Sequence, residues 1–322
     1  MPSYLFEQYR VLCIGIFDSA NIPDSLDKFT NLYKYSSVYR NAAGIDKYKR
    51  KLCEHGIGPY SMSRWYGHWT EKVTEADVIL ISDGIRGRDI IKYIHRKNPA
   101  ARIIVYYSNS NIGHGRNDPS KYKDLPCELV TFDKKNADDY QITFKHYFYP
   151  YMEHRVYTSD SYCTQDIFFI GADKGRLNEL LKWKNIFEHQ GLTCKFMILK
   201  TKHKFYIRYR NEVMDRPVPY TEVVKEIQHS RAILDFTQAH QYGITYRPME
   251  AMCFQKKLIT NFDRITEYNF YNSDNIFRLS HDSIHDLKNF LDTPYVPIDD
   301  AIREEYVAAT WLNSFFDNAD SQ

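Results

Sequence analysis

The sequence has no apolar run near the ~20 residues that a bilayer-spanning helix needs. Its amino end, "MPSYLFEQYRVLCIGIF", lacks the basic segment, apolar stretch and small-residue cleavage site of a secretory leader. A cytoplasmic location follows as the expectation. No two of the six cysteines (Cys13, Cys53, Cys127, Cys163, Cys194, Cys253) have CxxC spacing, and no histidine cluster accompanies them. A structural zinc is thereby disfavoured, and cysteines inside runs such as "VLCIGIF" and "LTCKFMIL" read as reduced core thiols. Charge of one sign is also missing: Lys+Arg 43 against Asp+Glu 41 leaves +2, too little for a nucleic-acid partner. Neither a Walker loop nor GxGxxG is present, and "IGIFDSANIPD" lacks the glycine spacing a dinucleotide oxidoreductase requires.

What the chain does have is length, 322 residues, enough for two domains, and an aromatic content of 16% that includes 27 tyrosines. Surplus tyrosine suits carbohydrate or nucleobase sites as well as ordinary cores. Short apolar, β-rich runs alternate with amphipathic helical stretches: "RVLCIGIF", "ADVILISDG", "GRDIIKYIHRKN", "ARIIVYYSN" and "CELVTFD". The alternation restarts with "DIFFIGADKGRLNELLKWKNIFEHQGLTCKFMIL", a complete βαβ unit, followed by "YTEVVKEIQHS", "RAILDFT", "TYRPMEAMCFQ", "KKLIT" and "NIFRL". Continuous apolar strands separated by helices imply parallel sheets covered on both faces. The expected architecture is α/β, with two doubly wound Rossmann-like domains, 1–155 and 160–298, facing a central cleft. A helix over 299–322, with Tyr306, Trp311 and Phe315 near one face, would dock back across the junction.

Two stretches carry chemistry. In "GADKGRL" (171–177) Gly171 and Gly175 allow close backbone approach, a helix N-terminus offers free N–H groups, and Lys174 and Arg176 add charge, a setting for phosphate. The same residues also suit a plain turn with solvated side chains. In "GITYRPMEAM" (243–252) Gly243 and Thr245 precede a helix with Pro248 in its first turn, and Arg247 and Glu250, three apart, project to one side. They fit either a diphosphate clamp with a ribose-binding carboxylate or a simple intrahelical ion pair. "KTKHKFYIRYR" (200–210) interleaves basic and aromatic residues; it suits anionic lipid headgroups, and equally a solvated hairpin face.

Taken together, "DIFFIGADKGRLNELL", "YTEVVKEIQHSRAILDFTQAHQYGITYRPMEAMCFQKKLIT" and "YNFYNSDNIFRL", with "RIIVYYSNSNI" and "FDKKNADDYQITFKHYFYP" in the amino half, resemble bacterial GT-B-type glycosyltransferases of capsule and lipopolysaccharide biosynthesis, distantly similar to the CgeB-like group. The resemblance runs from about residue 75 to the closing tryptophan helix. It implies a nucleotide-sugar donor, UDP-sugar first, held by the carboxyl-terminal domain through Gly171, Lys174, Arg176, Gly243, Thr245, Arg247 and Glu250. It also implies a glycan or lipid-linked saccharide acceptor held by the amino-terminal domain; peripheral contact at the inner face of the cell membrane is the expectation that "KTKHKFYIRYR" adds. Cationic neutralisation of the leaving diphosphate would replace a metal, and no DxD-like pair stands out in the second domain. Leu258 occupies the place, eight after Glu250, where many retaining members carry a second glutamate. If the reaction inverts, the base expected is Asp18, with His114 as the second choice and His68 a further one; Asp18 also suits a turn cap. Trp65, His68 and Asn109 are the expected acceptor contacts, with Trp69 an alternative stacking surface. A non-catalytic nucleotide-sugar or glycan-binding protein on the same scaffold is the competing expectation.

Overall fold

The computed structural model describes residues 4–17, 23, 26–83, 88–109, 112–113, 117–153, 162–201, 206–238 and 242–317. They form two compact units, one of residues 1–150 with 305–322 and the other of 151–304.

The first unit is built on six parallel strands: β1 (Val11–Ile14), β2 (Leu32–Tyr35), β3 (Val78–Ser82), β4 (Arg102–Tyr107), β5 (Glu128–Thr131) and β6 (Thr143–Phe144), in the order β2-β1-β3-β4-β5-β6. β1 and most of β3 and β4 are buried without alternation, as strands covered on both faces must be. The helices of this unit are α1 (Gly44–Glu54), α2 (Arg88–Lys97) and α3 (Lys134–Tyr140); α2 covers the sheet, and α3 packs on β5 and β6. Ile90, Ile91 and Ile94 of α2 pack into a core with Leu12, Ile79, Ile103, Trp69 and Tyr107.

The second unit repeats the scheme with β7 (Gln165–Ala172), α4 (Leu177–His189), β8 (Cys194–Leu199), β9 (Val213–Met214), α5 (Tyr220–Gln228), β10 (Ser230–Asp235), α6 (Tyr246–Phe254), β11 (Lys257–Thr260), β12 (Ile276–Arg278) and the short α7 (Leu287–Asp292) and α8 (Asp300–Glu304). Its sheet is wholly parallel in the order β12-β11-β10-β7-β8-β9. The chain therefore winds one way from β7 to β9 and then returns to the other side of β7. The strand order reverses between β7 and β10, and ligands of such sheets bind beyond the carboxyl ends at that point. In the first unit the corresponding place lies between β1 and β3.

The single closing helix expected over 299–322 is instead two: α8, and α9 (Ala308–Asn313), which lies in the first unit. The break falls at Tyr306, fully buried, whose carbonyl accepts from the Tyr149 amide (2.9 Å) rather than from a following turn. Val307 takes an extended conformation there and starts α9.

Candidate functional site

Asp235 closes β10 at the reversal point and is buried. Its Oδ1 accepts from Thr245 Oγ1 (2.9 Å) and its Oδ2 from Thr260 Oγ1 (3.1 Å), so one carboxylate ties the ends of β10 and β11 to the start of α6. Burial pushes its pKa up, against the pull of those two hydroxyls and of Arg247 and Arg176. The charges of both arginines are felt at this carboxylate, though neither pairs with it among the described residues.

Arg176 comes from the β7–α4 turn. Its guanidinium crosses to β10, donating through Nη1 to the Phe236 carbonyl and through Nη2 to the Ala172 carbonyl (2.9 Å), and lies over the Phe169 ring. Nε is buried with no acceptor, and no carboxylate forms an ion pair with Arg176 among the described residues. Burial lowers its pKa most, Asp235 and Asp173 support the charge from further off, and Arg247 opposes it. Gly171 makes this pose possible, because a Cβ there would stand 3.0 Å from Arg176 Nη2 and 3.1 Å from Phe169 Cζ. Its role is to admit the arginine.

Several of the amides in "GADKGRL" are already engaged ahead of α4. Asp173 Oδ1 accepts from the amides of Gly175 (3.0 Å) and Leu177 (2.8 Å), its carbonyl accepts from the Arg176 amide (2.9 Å), and the Lys174 amide donates to Thr201 Oγ1 (2.8 Å). Asp173, just ahead of α4, supplies the negative charge that a helix N-terminus attracts. Lys174 and Gly175 both take positive φ, 45° and 94°, to turn the chain under that carboxylate. The Lys174 side chain remains exposed, with no partner among the described residues. Tyr206, from the basic and aromatic stretch, donates to Asp173 Oδ2 (2.6 Å) and so faces inward rather than toward headgroups. Residues 202–205 of that stretch lie outside those described.

Thr245 caps α6, its Oγ1 accepting from the Arg247 amide (3.0 Å), so its hydroxyl is spent on the helix and on Asp235. Gly243 is buried just ahead of it. Arg247 Nη1 donates to Glu250 Oε2, and Tyr220 donates to Glu250 Oε1 (2.7 Å). Glu250 is wholly buried, whereas Arg247 keeps 20% of its side chain exposed. The remaining donors of the Arg247 fork make no bond among the described residues. Burial works against its charge, but Glu250, Tyr220 and Asp235 together raise its pKa. Tyr220 in turn stacks on Tyr151 at 5.1 Å.

In the first unit, Asp83 follows β3 at the reversal point and is buried. It accepts from Ser108 N (3.1 Å), Ser108 Oγ (2.9 Å) and Asn109 Nδ2 (3.1 Å). Asp18 and His114, the expected base and its alternative, lie outside the described residues. Trp65 is fully buried and is core, not a sugar platform; Trp69 is likewise buried, its Nε1 donating to the Val38 carbonyl (2.7 Å). His68 is exposed and paired with Glu71 (3.0 Å). Sequence reading missed Asp173, Tyr220, Asp235 and Asp83. Three of them share one signal: an aspartate ending an apolar run, as in "FFIGAD", "RAILD" and "VILISD".

No family model matches the chain, and no curated protein matches it. Among solved structures it is similar to Anabaena Alr3699/HepE in complex with UDP and glucose, with TM-score 0.53 and 11% identity over 97% of this chain and 99% of that one. It is also similar to AviGT4, a glycosyltransferase involved in avilamycin A biosynthesis, with TM-score 0.52 and 11% identity over 96% of each chain. The Gap123 complex of Streptococcus agalactiae matches 77% of this chain at 13% identity and TM-score 0.41, and this chain spans 53% of it. At such identities the likeness is one of fold, and that fold is two Rossmann-like α/β domains of the GT-B class.

Proposed function

We propose that the chain is a glycosyltransferase whose second unit holds a nucleotide-diphosphate sugar, UDP-sugar first, at the carboxyl ends of β7 and β10. The observation that carries this reading is Arg176, a desolvated guanidinium without an ion-pair partner among the described residues, at the reversal point of a doubly wound sheet. A partly buried cation without an ion-pair partner is costly, and a diphosphate is the anion that would offset the cost. Arg247, with open donors from the first turn of α6, and Lys174, exposed beside the β7–α4 turn, supply further charge. Cations fixed in place before reaction stabilise the charge developing on a leaving diphosphate, usually the largest single contribution to such catalysis. Glu250 positions Arg247 and, where a ribose hydroxyl takes the place of the Tyr220 hydroxyl, accepts it. The UDP and glucose bound to HepE, and the likeness to the glycosyltransferase AviGT4, support the choice of donor class. The acceptor we assign is a glycan or lipid-linked saccharide of a bacterial surface polysaccharide, held near Asp83 and Asn109 of the first unit. Asp18 and His114 keep their place as proposed bases.

The test is a thermal-shift panel of UDP, GDP, CMP and dTDP with their sugars, followed by release of nucleoside diphosphate from the stabilising donor. One nucleotide at 100 times its dissociation constant should add about 2.7 kcal/mol of stability, and its sugar should be slowly hydrolysed. Stabilisation without any release would favour a non-catalytic binder; no stabilisation by any of them would remove the donor site.

A further inference from the structure

α1 is an amphipathic helix turned inside out. Its partly covered side carries Asp46, Lys49, Arg50, Cys53 and Glu54, and it buries no residue completely. That side is held by charge: Arg50 pairs with Glu54 (3.4 Å) and lies over the Tyr39 ring (4.7 Å), while Arg40 pairs with Asp46 (3.8 Å). The open side carries Ile45, Tyr48 and Leu52, exposed by 75%, 68% and 39%, and the following loop adds Ile57 and Tyr60 at 58% and 40%. Positions i, i+3 and i+7 form one stripe, which a globular helix ordinarily turns to the core. A contiguous apolar patch left outside marks an interaction surface.

Charge selects the partner. Lys47 and Lys51 flank the stripe on the open side, exposed and without an ion pair among the described residues, whereas both acids of the helix are engaged on the covered side. A second copy of the same face across a two-fold axis would set lysine against lysine. A surface both apolar and negative is the headgroup zone of an anionic bilayer, and apolar residues flanked by lysine are what a helix lying in that zone presents. We propose that residues 44–60 form a membrane-docking face, with Ile45, Tyr48 and Leu52 entering the headgroup layer and Lys47 and Lys51 meeting its anions. This inference is independent of the donor site.

The experiment is co-sedimentation of the full chain with vesicles of phosphatidylcholine alone and of equimolar phosphatidylcholine and phosphatidylglycerol. Wild type should pellet with the anionic vesicles and stay largely soluble with the neutral ones. Ile45→Ser/Tyr48→Ser/Leu52→Ser should abolish pelleting. Lys47→Gln/Lys51→Gln should weaken it by about fivefold for each lysine, the effect fading as salt rises. Both variants should keep the wild-type Tm, because the altered side chains lie outside the core. Wild type remaining in solution with anionic vesicles, or the triple serine variant binding as tightly as wild type, overturns the proposal. So does a lipid-free dimer that the triple variant dissolves, which would give the stripe to a second copy.

Discussion

At Arg176 and Asp235 the chain holds opposite charges in one desolvated spot without letting them pair directly. Asp235 spends its oxygens on Thr245 and Thr260, and Arg176 spends its nitrogens on two carbonyls. The arginine therefore keeps its charge for another anion. A consequence for pH follows from Asp235, whose folded-state pKa is raised, by burial first of all. Such a carboxyl contributes stability below the ordinary aspartate value and loses it as pH rises through the folded value, because the native state keeps a proton that the unfolded chain has released. Asp235→Asn is neutral throughout. The stability of wild type relative to Asp235→Asn, from urea unfolding, should fall as pH climbs from about 4; a difference that stays flat or grows with pH would contradict this assignment. Arg247 and Glu250 were legible from their spacing and Arg176 from its place in a glycine turn. The partners of Asp235 were not, since they come from three separate segments and only folding brings them together.

Helix α6 shows how much one cap organises. Thr245 accepts the Arg247 amide and donates to Asp235, so the same hydroxyl starts the helix and fixes its start to β10. Thr245→Ala should cost about 1–2 kcal/mol in unfolding free energy, with Thr245→Ser recovering most of it. Equal loss in both variants would mean that the methyl group, not the hydroxyl, does the holding. The longer strands and helices were readable because fully covered strands carry unbroken apolar runs. β2, "LYKY", was not, because only Leu32 of its four residues is buried. α1 escaped for the related reason that its apolar side never reaches the core, leaving no partner pattern to match. The tail failed in the opposite direction: its 3.6 period is real, but the Tyr149–Tyr306 backbone bond interrupts the helix that the period promises, and no local signal encodes a partner so far away in sequence.

For the molecule as a whole, each unit reverses its strand order once and sets a buried aspartate at that reversal, Asp83 after β3 and Asp235 after β10. In the second unit the charges of two arginines act on the aspartate, which is bonded to Thr245 and Thr260; in the first, Ser108 and Asn109 bond to it. That asymmetry is why the anionic donor is assigned to the second unit and the saccharide acceptor to the first. The sequence named Arg176 and Arg247, but not Asp173, which engages the Gly175 and Leu177 amides from outside the helix. Calorimetric titration of UDP into wild type and Arg176→Met tests the central claim most directly. Loss of two carbonyl bonds and relief of a desolvated charge oppose each other, so the fold should change by less than about 1–2 kcal/mol. UDP affinity should nonetheless drop at least tenfold, about 1.4 kcal/mol. UDP bound equally well by a correctly folded Arg176→Met protein would contradict a diphosphate at the β7–β10 reversal.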